Sequence, residues 1–343
     1  MLHGSTTLGR VQTVRIALAQ VNPVVGDIAG NVALCRQAVA TARARHAQIV
    51  LLPEMVITGY PVEDLALRPA FQEASESAVA QLAREIAADG NGEAVVIVGY
   101  LKGTDRSEAV RLGVPRGAPM NCAAVIHRGA VVAHYAKHHL PNYGVFDEYR
   151  YFVPGNEPLI VSAFGIDIAV AVCEDLWQDG GPIAAVRRAN VGLLAVINGS
   201  PYERDKDDVR TALATLRARE TGAVVAYVNM VGGQDELVFD GDSLVVDPDG
   251  RVLARANQFT SQILVTDVSC SSSAGGATVT LDTEAATLAP LAPASAAARA
   301  DDLAQMWSAL VLGLGDYVNK NGFHSVLLGL SGGIDSAVVA TLA

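Results

Sequence analysis

Short apolar runs recur along the chain between Val14 and Val268, and residues that favour turns separate them. Several of these runs have the length of a strand and are rich in valine and isoleucine on both faces, as expected of strands that are covered on both sides. Helical patterns lie between them, at Ala29–His46, Phe71–Ala88 and Asp207–Glu220. The alternation of the two kinds of segment predicts an α/β domain. The predicted strands are Val14–Gln20, Ile49–Pro53, Ala94–Tyr100, Cys122–His127, Ile166–Cys173, Gly192–Asn198 and Gly222–Asn229.

The α/β domain is predicted to end shortly after a last strand at Gln262–Asp267. Before it, Ser243–Val246 and Arg251–Ala254 flank the turn sequence Asp-Pro-Asp-Gly, which predicts a hairpin. Residues 1–13 are polar and show no pattern, so we expect them to be disordered. These boundaries place the domain at residues 14–268.

The remainder of the chain has a different character. Residues 269–300 are rich in serine, glycine, alanine and proline without an apolar period, which predicts a flexible linker. Asp301–Asn319 has the pattern of an amphipathic helix, and Gly322–Gly329 that of a strand. The sequence continues as LSGGIDSAVVATLA and ends, so we expect residues 301–343 to be the truncated start of a second α/β domain.

Composition limits the partners of this chain. Of its 343 residues, 50% are hydrophobic and 18% charged, which excludes a disordered or fibrous protein. The net charge of −11 argues against nucleic acid or an anionic membrane as the main partner. No apolar stretch approaches the roughly 18 residues that cross a bilayer, and no secretory leader is visible. The 4 cysteines lack metal-ligand spacing, so we expect a reduced, cytoplasmic protein without a bound metal.

Three candidate reactive residues follow separate apolar strands. Glu54 comes after IVLLP, Lys137 after VVAHYA, and Cys173 after IDIAVAV. Ligand crevices form at the carboxyl ends of strands in open α/β sheets. If these side chains meet there, the thiol can attack a carbonyl, the carboxylate can carry the proton, and the ammonium can stabilise the oxyanion. Taken singly, each has a simpler explanation, as a core cysteine, a turn carboxylate and a surface lysine.

Longer tracts around these residues resemble the nitrilase superfamily over roughly residues 14–268. The tracts are LLPEMVITGYPVEDL, KHHLPNYGVFDEYRYF and VAVCEDLW, and they occur in the order of that family. The resemblance implies a four-layer α-β-β-α sandwich and a catalytic triad in which Glu54 is the general base, Lys137 the transition-state stabiliser and Cys173 the nucleophile. It also implies that Glu148, in FDEYR, holds Lys137 charged and oriented.

More narrowly, GYPVEDL, LPNYGVFDEYRYF, CEDLW, NGSPYERDK and VNMVGGQDELVFDGDS resemble the glutaminase domain of the glutamine-dependent NAD+ synthetases. This resemblance implies that L-glutamine is hydrolysed through a cysteine thioester, and that the ammonia serves ATP-dependent amidation of nicotinic acid adenine dinucleotide. Trp177 could instead be a core residue and Lys206 a solvated charge, and Asp242 stands where a second glycine is usual. The implied glutamine pocket is formed by Tyr60, Tyr143, Glu174, Trp177, Ser200 and Lys206.

The tract LLGLSGGIDSA follows a predicted strand and opens a helix, which is the setting of a phosphate-binding loop. It lacks the Lys-Ser/Thr of a Walker A motif. It resembles the SGGxDS pyrophosphate loop of enzymes that adenylate a substrate, which implies ATP and magnesium for the complete enzyme; a glycine turn capped by Asp335 is the alternative. Because the chain ends at Ala343, we expect it to bind ATP weakly. The matching residues are Ser331, Gly332, Gly333, Asp335 and Ser336.

Two other functions remain open from the sequence. A stand-alone amidase or N-carbamoyl hydrolase explains the triad equally well but leaves SGGIDS without a role. A non-catalytic assembly module that presents the α/β domain as an oligomer surface is the second. We expect the chain to form a homo-oligomer. His138 and His139 suggest a Cys–His mechanism, but no Asn or Asp partner is indicated for them.

Overall fold

The computed structural model describes residues 11–104, 116–204, 206–284, 288–292 and 296–343, except for the side chain of residue 207. Of residues 1–13, which were predicted to be disordered, residues 1–10 lie outside the described part, and residues 11–13 belong to the first strand. Two sheets pack face to face with helices on their outer sides, so the predicted four-layer α-β-β-α arrangement is confirmed. In the described part of the chain, every helix is too short or too polar to cross a membrane.

The strands are short and largely buried. In chain order they are β1 (Val11–Gln20), β2 (Ile49–Leu51), β3 (Val95–Lys102), β4 (Met120–His127), β5 (Ala130–Ala136), β6 (Leu159–Ala163), β7 (Ile166–Val172), β8 (Leu193–Asn198), β9 (Val224–Asn229), β10 (Val231–Gln234), β11 (Leu237–Asp240), β12 (Leu244–Val246), β13 (Val252–Arg255), β14 (Gln262–Ser271) and β15 (Val279–Thr280). The helices are α1 (Ile28–Ala44), α2 (Pro69–Ala88), α3 (Glu148–Tyr151), α4 (Glu174–Trp177), α5 (Gly181–Ala189), α6 (Lys206–Thr221), α7 (Asp302–Lys320) and α8 (Ile334–Leu342), with a 3-10 turn at Glu63–Leu67.

The two large sheets have similar strand arrangements. The first runs β14-β1-β2-β3-β4-β5, and the second runs β13-β12-β9-β8-β7-β6-β15. The centres are parallel, with β1, β2 and β3 in one sheet and β7, β8 and β9 in the other. Glu54 follows β2 in the first sheet and Cys173 follows β7 in the second, so the two residues come from two sheets and not from the edge of one open sheet.

The apolar positions of β1 show why its sequence is hydrophobic on both faces. Val14, Ile16 and Leu18 join the core between the two sheets, whereas Ala17 and Ala19 join the core under α1 and α2. The small alanines lie on the face where helices pack closely. α5 and α6 cover the outer face of the second sheet in the same way.

The strands extend beyond residues 14–268. β1 begins at Val11, which pairs with Ser271 at the end of β14. Within the predicted linker, Val279 and Thr280 form β15 beside β6. These pairings use backbone hydrogen bonds at sheet edges, which need no apolar side chains, so the polar sequence did not indicate them.

The strand predicted at Gly322–Gly329 is wrong for this chain. Residues 323–330 form neither helix nor strand, and their side chains are exposed, Leu327 to 98%. An apolar run becomes a strand only where neighbouring strands accept its backbone hydrogen bonds, and the described part of the chain places none beside it. The helix predicted at Asp301–Asn319 is confirmed, with Asp301 capping its first turn through Ala304 N.

α7 packs against the β10–β11 hairpin. Asp316 Oδ2 accepts hydrogen bonds from Asn22 Nδ2 and from the Gly233 backbone N–H, both at 2.7 Å. Lys320 Nζ donates to Gly233 O at 2.8 Å. A side chain at Gly233 would place its Cβ 2.9 Å from Gly313 Cα, so glycine is required for this close approach.

Candidate active site

Glu54, Lys137 and Glu148 converge in a buried position beyond the carboxyl ends of β2 and β5. Lys137 Nζ lies 2.8 Å from Glu54 Oε1, 3.0 Å from Glu148 Oε1 and 2.8 Å from Glu148 Oε2. All three side chains are nearly closed to solvent, with exposed fractions of 1%, 1% and 3%. A buried ammonium between two carboxylates satisfies groups that would be costly to bury singly.

The carboxylate of Glu54 is held by more than Lys137. Its Oε1 also accepts a hydrogen bond of 2.6 Å from Asn121 Nδ2, and its Oε2 accepts one of 2.8 Å from the Gly199 backbone N–H. Asn121 and Gly199 were missed by the sequence analysis. A polar residue within the apolar run MNCAAVIH was the available signal for Asn121, whereas a backbone N–H leaves no signal in side-chain chemistry.

Cys173 occupies a sharp turn between β7 and α4. Its backbone has φ +44° and ψ −97°, a conformation that side chains rarely adopt outside constrained sites. The thiol is 4% exposed, and burial followed by the charge of Glu54 raises its pKa well above the usual range. The sulfur is therefore protonated at rest, and any nucleophilic use of it requires a base.

Lys137 stays charged in this setting. Burial alone would lower its pKa, but the carboxylates of Glu148 and Glu54 raise it well above the usual range. For Glu148, burial is the largest cause of a pKa raised to about 7, and the like charge of Glu54 adds to it. Tyr60, predicted as a pocket residue, donates its hydroxyl to Glu148 Oε1 at 3.0 Å and so belongs to this buried cluster.

The raised pKa of Glu148 predicts a stability effect of definite sign. Because its pKa is higher in the folded state than the ordinary 4.5, the folded protein binds the proton more tightly, and this group disfavours folding progressively as pH rises from about 4.5 to about 7. The free energy of unfolding of the Glu148→Gln variant, relative to that of the parent, should therefore increase between about pH 4.5 and about pH 7 and stay constant above it. Urea unfolding at a series of pH values measures the difference, and a difference that falls with pH would contradict the assignment.

Asp175 ties the lysine segment to the cysteine turn. One carboxylate oxygen accepts the backbone N–H groups of His138 and His139 at 3.1 and 2.8 Å, and the other accepts Tyr135 Oη–H at 2.8 Å and Val172 N–H at 3.1 Å. Burial raises its pKa to about 6. Its four hydrogen bonds fix the residues next to Lys137 against those next to Cys173, a role that its place in CEDLW did not reveal.

A pocket of about 300 Å³ opens beside the triad. Cys173 lines it together with most of the residues predicted to bind the substrate, which are Tyr143, Glu174, Trp177, Ser200 and Lys206. Phe146, Glu203, Arg204 and Val209 complete the lining. A wider surface groove of about 740 Å³ lies between α1 and α2 and carries none of the candidate residues.

Two charged residues of the pocket, Glu174 and Lys206, come from α4 and α6. Glu174 is 4% exposed and accepts hydrogen bonds from Tyr143 Oη at 2.8 Å and Gln178 Nε2 at 2.9 Å. Lys206 Nζ is 2.8 Å from Glu203 Oε1 and lies over the ring of Phe146, 5.7 Å from its centre. Trp177 and Lys206 therefore both face the pocket, rather than the core or open solvent.

His138 and His139 do not line the pocket that Cys173 lines. Their rings pack edge to face with centres 4.5 Å apart, and His138 Nδ1 lies 2.7 Å from Gly155 O. The structure thus favours Lys137 over its neighbouring histidines as the functional group of this tract.

Asp242, the departure from the family pattern, has φ +54°, which explains why glycine is usual there. Its carboxylate is fully buried, and both oxygens lie 3.0 Å from Arg255 Nη1. The aspartate therefore offsets its backbone strain with an ion pair that joins its loop to β13.

The SGGIDS tract forms an exposed loop leading into α8. Gly332 has φ +86° and no neighbouring atom within 4 Å of an added Cβ. The hydroxyls of Ser331 and Ser336 lie 3.1 Å apart, and α8 begins after Gly333 without a side-chain cap. The loop and the carboxylate of Asp335 lie at a helix N-terminus whose free N–H groups suit an anion.

The buried carboxylate, lysine and cysteine beside a pocket are typical of an enzyme site. Comparison with known protein families identifies the class of enzyme. The model of the carbon-nitrogen hydrolase family matches residues 15–275, so the chain belongs to that family. A second model, NAD synthase, matches residues 306–343.

Relatives with both parts are known. The glutamine-dependent NAD(+) synthetase of Xanthomonas campestris is 42% identical over 334 residues, covering 96% of this chain and 55% of that protein. The solved glutamine-dependent NAD+ synthetase of Acinetobacter baumannii, in complex with ADP, has a TM-score of 0.81 and 32% identity over 97% of this chain and 57% of its own. The chain thus spans little more than half the length of these relatives.

A smaller relative shares the hydrolase fold. An amidase from Nesterenkonia sp. AN1, of the nitrilase superfamily, has a TM-score of 0.61 and 27% identity over 74% of this chain and 93% of its own. That structure shows acrylamide added to the active-site cysteine of the amidase.

Proposed function

We propose that this chain contains the glutaminase part of a glutamine-dependent NAD+ synthetase, with Cys173 as nucleophile, Glu54 as general base and Lys137 as the charge that stabilises the oxyanion. The observation that carries the proposal is the buried Glu54–Lys137 pair at 2.8 Å beside a pocket lined by Cys173. The matches to glutamine-dependent NAD(+) synthetases over 96% of the chain support glutamine as the amide.

In the first half-reaction, Glu54 takes the proton of the neutral Cys173 thiol while the sulfur bonds to the side-chain amide carbon of glutamine. Lys137 and the backbone N–H of Glu174 stabilise the resulting oxyanion. Glu54 then gives its proton to the amide nitrogen, the C–N bond breaks, and ammonia leaves. A γ-glutamyl thioester remains on Cys173.

In the second half-reaction, Glu54 removes a proton from water, and the oxygen bonds to the thioester carbon. The C–S bond breaks as the intermediate collapses, and the proton returns from Glu54 to the sulfur. Glutamate is released, and the thiol regains its resting state. Glu148 keeps Lys137 charged and in place through both steps.

The pocket supplies groups for a free amino acid. Glu174, held by Tyr143, would bind the ammonium of glutamine, and Ser200 and Lys206 would bind its carboxylate. The aromatic side chain of Trp177 offers a wall for the methylene groups. These assignments predict that amides without an α-amino group react slowly.

In the complete enzyme the ammonia would amidate nicotinic acid adenine dinucleotide in an ATP-dependent step. The exposed backbone of Ser331–Gly333, at the start of α8, fits the phosphates of ATP, and Asp335 and Ser336 would complete the loop. Magnesium would accompany the nucleotide. ATP supplies the activation of the dinucleotide carboxylate as an adenylate when it is bound.

Covalent labelling tests the proposal. A glutamine-like electrophile such as diazo-oxo-norleucine should place one adduct on Cys173, because this thiol alone among the four buried cysteines lies beside Glu54 in the substrate pocket. Peptide mass spectrometry measures the site, and the Cys173→Ala variant should remain unlabelled.

Other outcomes would favour the competing functions. Equal labelling of Cys173 and Cys122 would favour a non-catalytic module. Ammonia release from simple amides or N-carbamoyl compounds but none from glutamine would favour a stand-alone amidase.

A further inference from the structure

Asn121 is a buried amide at the centre of the site, and the sequence motifs give it no role. Its side chain is 0% exposed, and its Nδ2 lies 2.6 Å from Glu54 Oε1. The backbone carbonyl of the same residue accepts the N–H of Lys137 at 2.9 Å. One residue of β4 thus holds both the carboxylate and the segment that carries the ammonium.

The chemistry fixes which end of the amide faces Glu54. Oε1 of Glu54 already accepts a hydrogen bond from Lys137 Nζ, so it is an acceptor, and the Asn121 atom at 2.6 Å from it must be the donor nitrogen. Asn121 Oδ1 is buried and has no hydrogen-bond partner among the described residues. An amide with an unmet acceptor is costly to bury, so a packing role would be served better by an apolar side chain.

We propose that Asn121 is a positioning residue that, with Lys137, saturates Oε1 of Glu54 and directs the proton of the nucleophile to Oε2. In the described chain Oε2 accepts the Gly199 N–H at 2.8 Å, which leaves lone-pair capacity on that oxygen. The inference rests on the proposed role of Glu54 as base. It does not depend on which amide is the substrate.

The test compares Asn121→Leu with Asn31→Leu. Asn31 is 2% exposed, and its Nδ2 donates to the carbonyls of Val24 and Ile57, so its replacement also removes a buried amide but leaves Glu54 untouched. The probe is chloroacetamide, which carries none of the amino-acid groups of glutamine. The thiolate of Cys173 displaces chloride, and Glu54 takes the thiol proton.

We expect Asn121→Leu to slow alkylation of Cys173 by roughly 10- to 100-fold, as expected for loss of a hydrogen bond to a charged group. Asn31→Leu should lose stability without slowing alkylation. Neither variant alters the ionisable groups that face Glu54, which are Lys137, Glu148, Cys173 and Tyr60.

A double-variant cycle separates an action through Glu54 from a general disturbance. In a Glu54→Gln background, Asn121→Leu should slow alkylation less than twofold further. Equal effects in both backgrounds, or an effect no larger than that of Asn31→Leu, would overturn the proposal. If Asn121→Leu does not fold, Asn121→Ala serves in the same cycle. Glutamine turnover in the parent protein tests the proposed function separately.

Discussion

Replacing Glu54 with glutamine should preserve the fold and lower glutamine turnover by roughly a thousandfold or more, because in the proposed mechanism one carboxylate carries the proton in both half-reactions. The new amide oxygen can still accept from Lys137 and Asn121. Its NH2 group, however, faces the Gly199 N–H, which lies 2.8 Å from Glu54 Oε2 in the parent. This donor–donor contact should cost about 1–3 kcal/mol of unfolding free energy.

Steady-state ammonia release and urea unfolding measure the two effects. Glu93→Gln is the matched control, because Glu93 is exposed and pairs with Arg128 at the surface. Its turnover should equal that of the parent. Near-normal turnover of Glu54→Gln would show that another group is the base.

Replacing Lys137 with methionine should lower both stability and turnover. The change leaves Glu54 and Glu148 as buried carboxylates without their ammonium, which should cost about 3–5 kcal/mol at neutral pH. The loss should shrink as pH falls, since a carboxylate can then take up a proton. Turnover should fall by roughly 10²- to 10³-fold because, in the proposed mechanism, the oxyanion loses its charged partner.

The double variant Lys137→Met with Glu148→Gln separates the two effects. Removing one of the like charges should restore part of the lost stability, yet turnover should stay low. Unfolding curves and ammonia release on the same preparations provide the comparison. Recovery of turnover in the double variant would show that Lys137 contributes to folding and not to catalysis.

The sequence was most informative about features that depend on residues close to one another along the chain. Glu54 and Cys173 each follow an apolar strand, so their place at strand ends could be predicted without coordinates. Because β2 and β7 belong to different sheets, the convergence of the two residues also depends on how the sheets pack. The apolar character of β1 on both faces likewise predicted a covered sheet, and the alanines on its helix side explain its composition.

Other features depend on contacts that the sequence does not encode locally. Asn121 and Asp175 act by accepting or donating hydrogen bonds across the site, from positions whose neighbours in sequence are ordinary strand and helix residues. Tyr60 was predicted to face the substrate, yet its hydroxyl bonds Glu148. The run at residues 323–330 has the composition of a strand but lacks adjoining strands in the described chain.

The enclosure of the site has a consequence for the reaction medium. In the proposed mechanism, the proton that passes from Cys173 to Glu54 moves charge between two atoms of one cavity and leaves the total charge of the cavity unchanged. The ions of the surrounding buffer screen net charge over a distance of about 8–10 Å. Moving a charge within the cavity therefore changes their interaction with the protein only a little. We therefore expect ionic strength to have little effect on the proposed chemical step, and any dependence on salt would arise from entry of the proposed zwitterionic substrate.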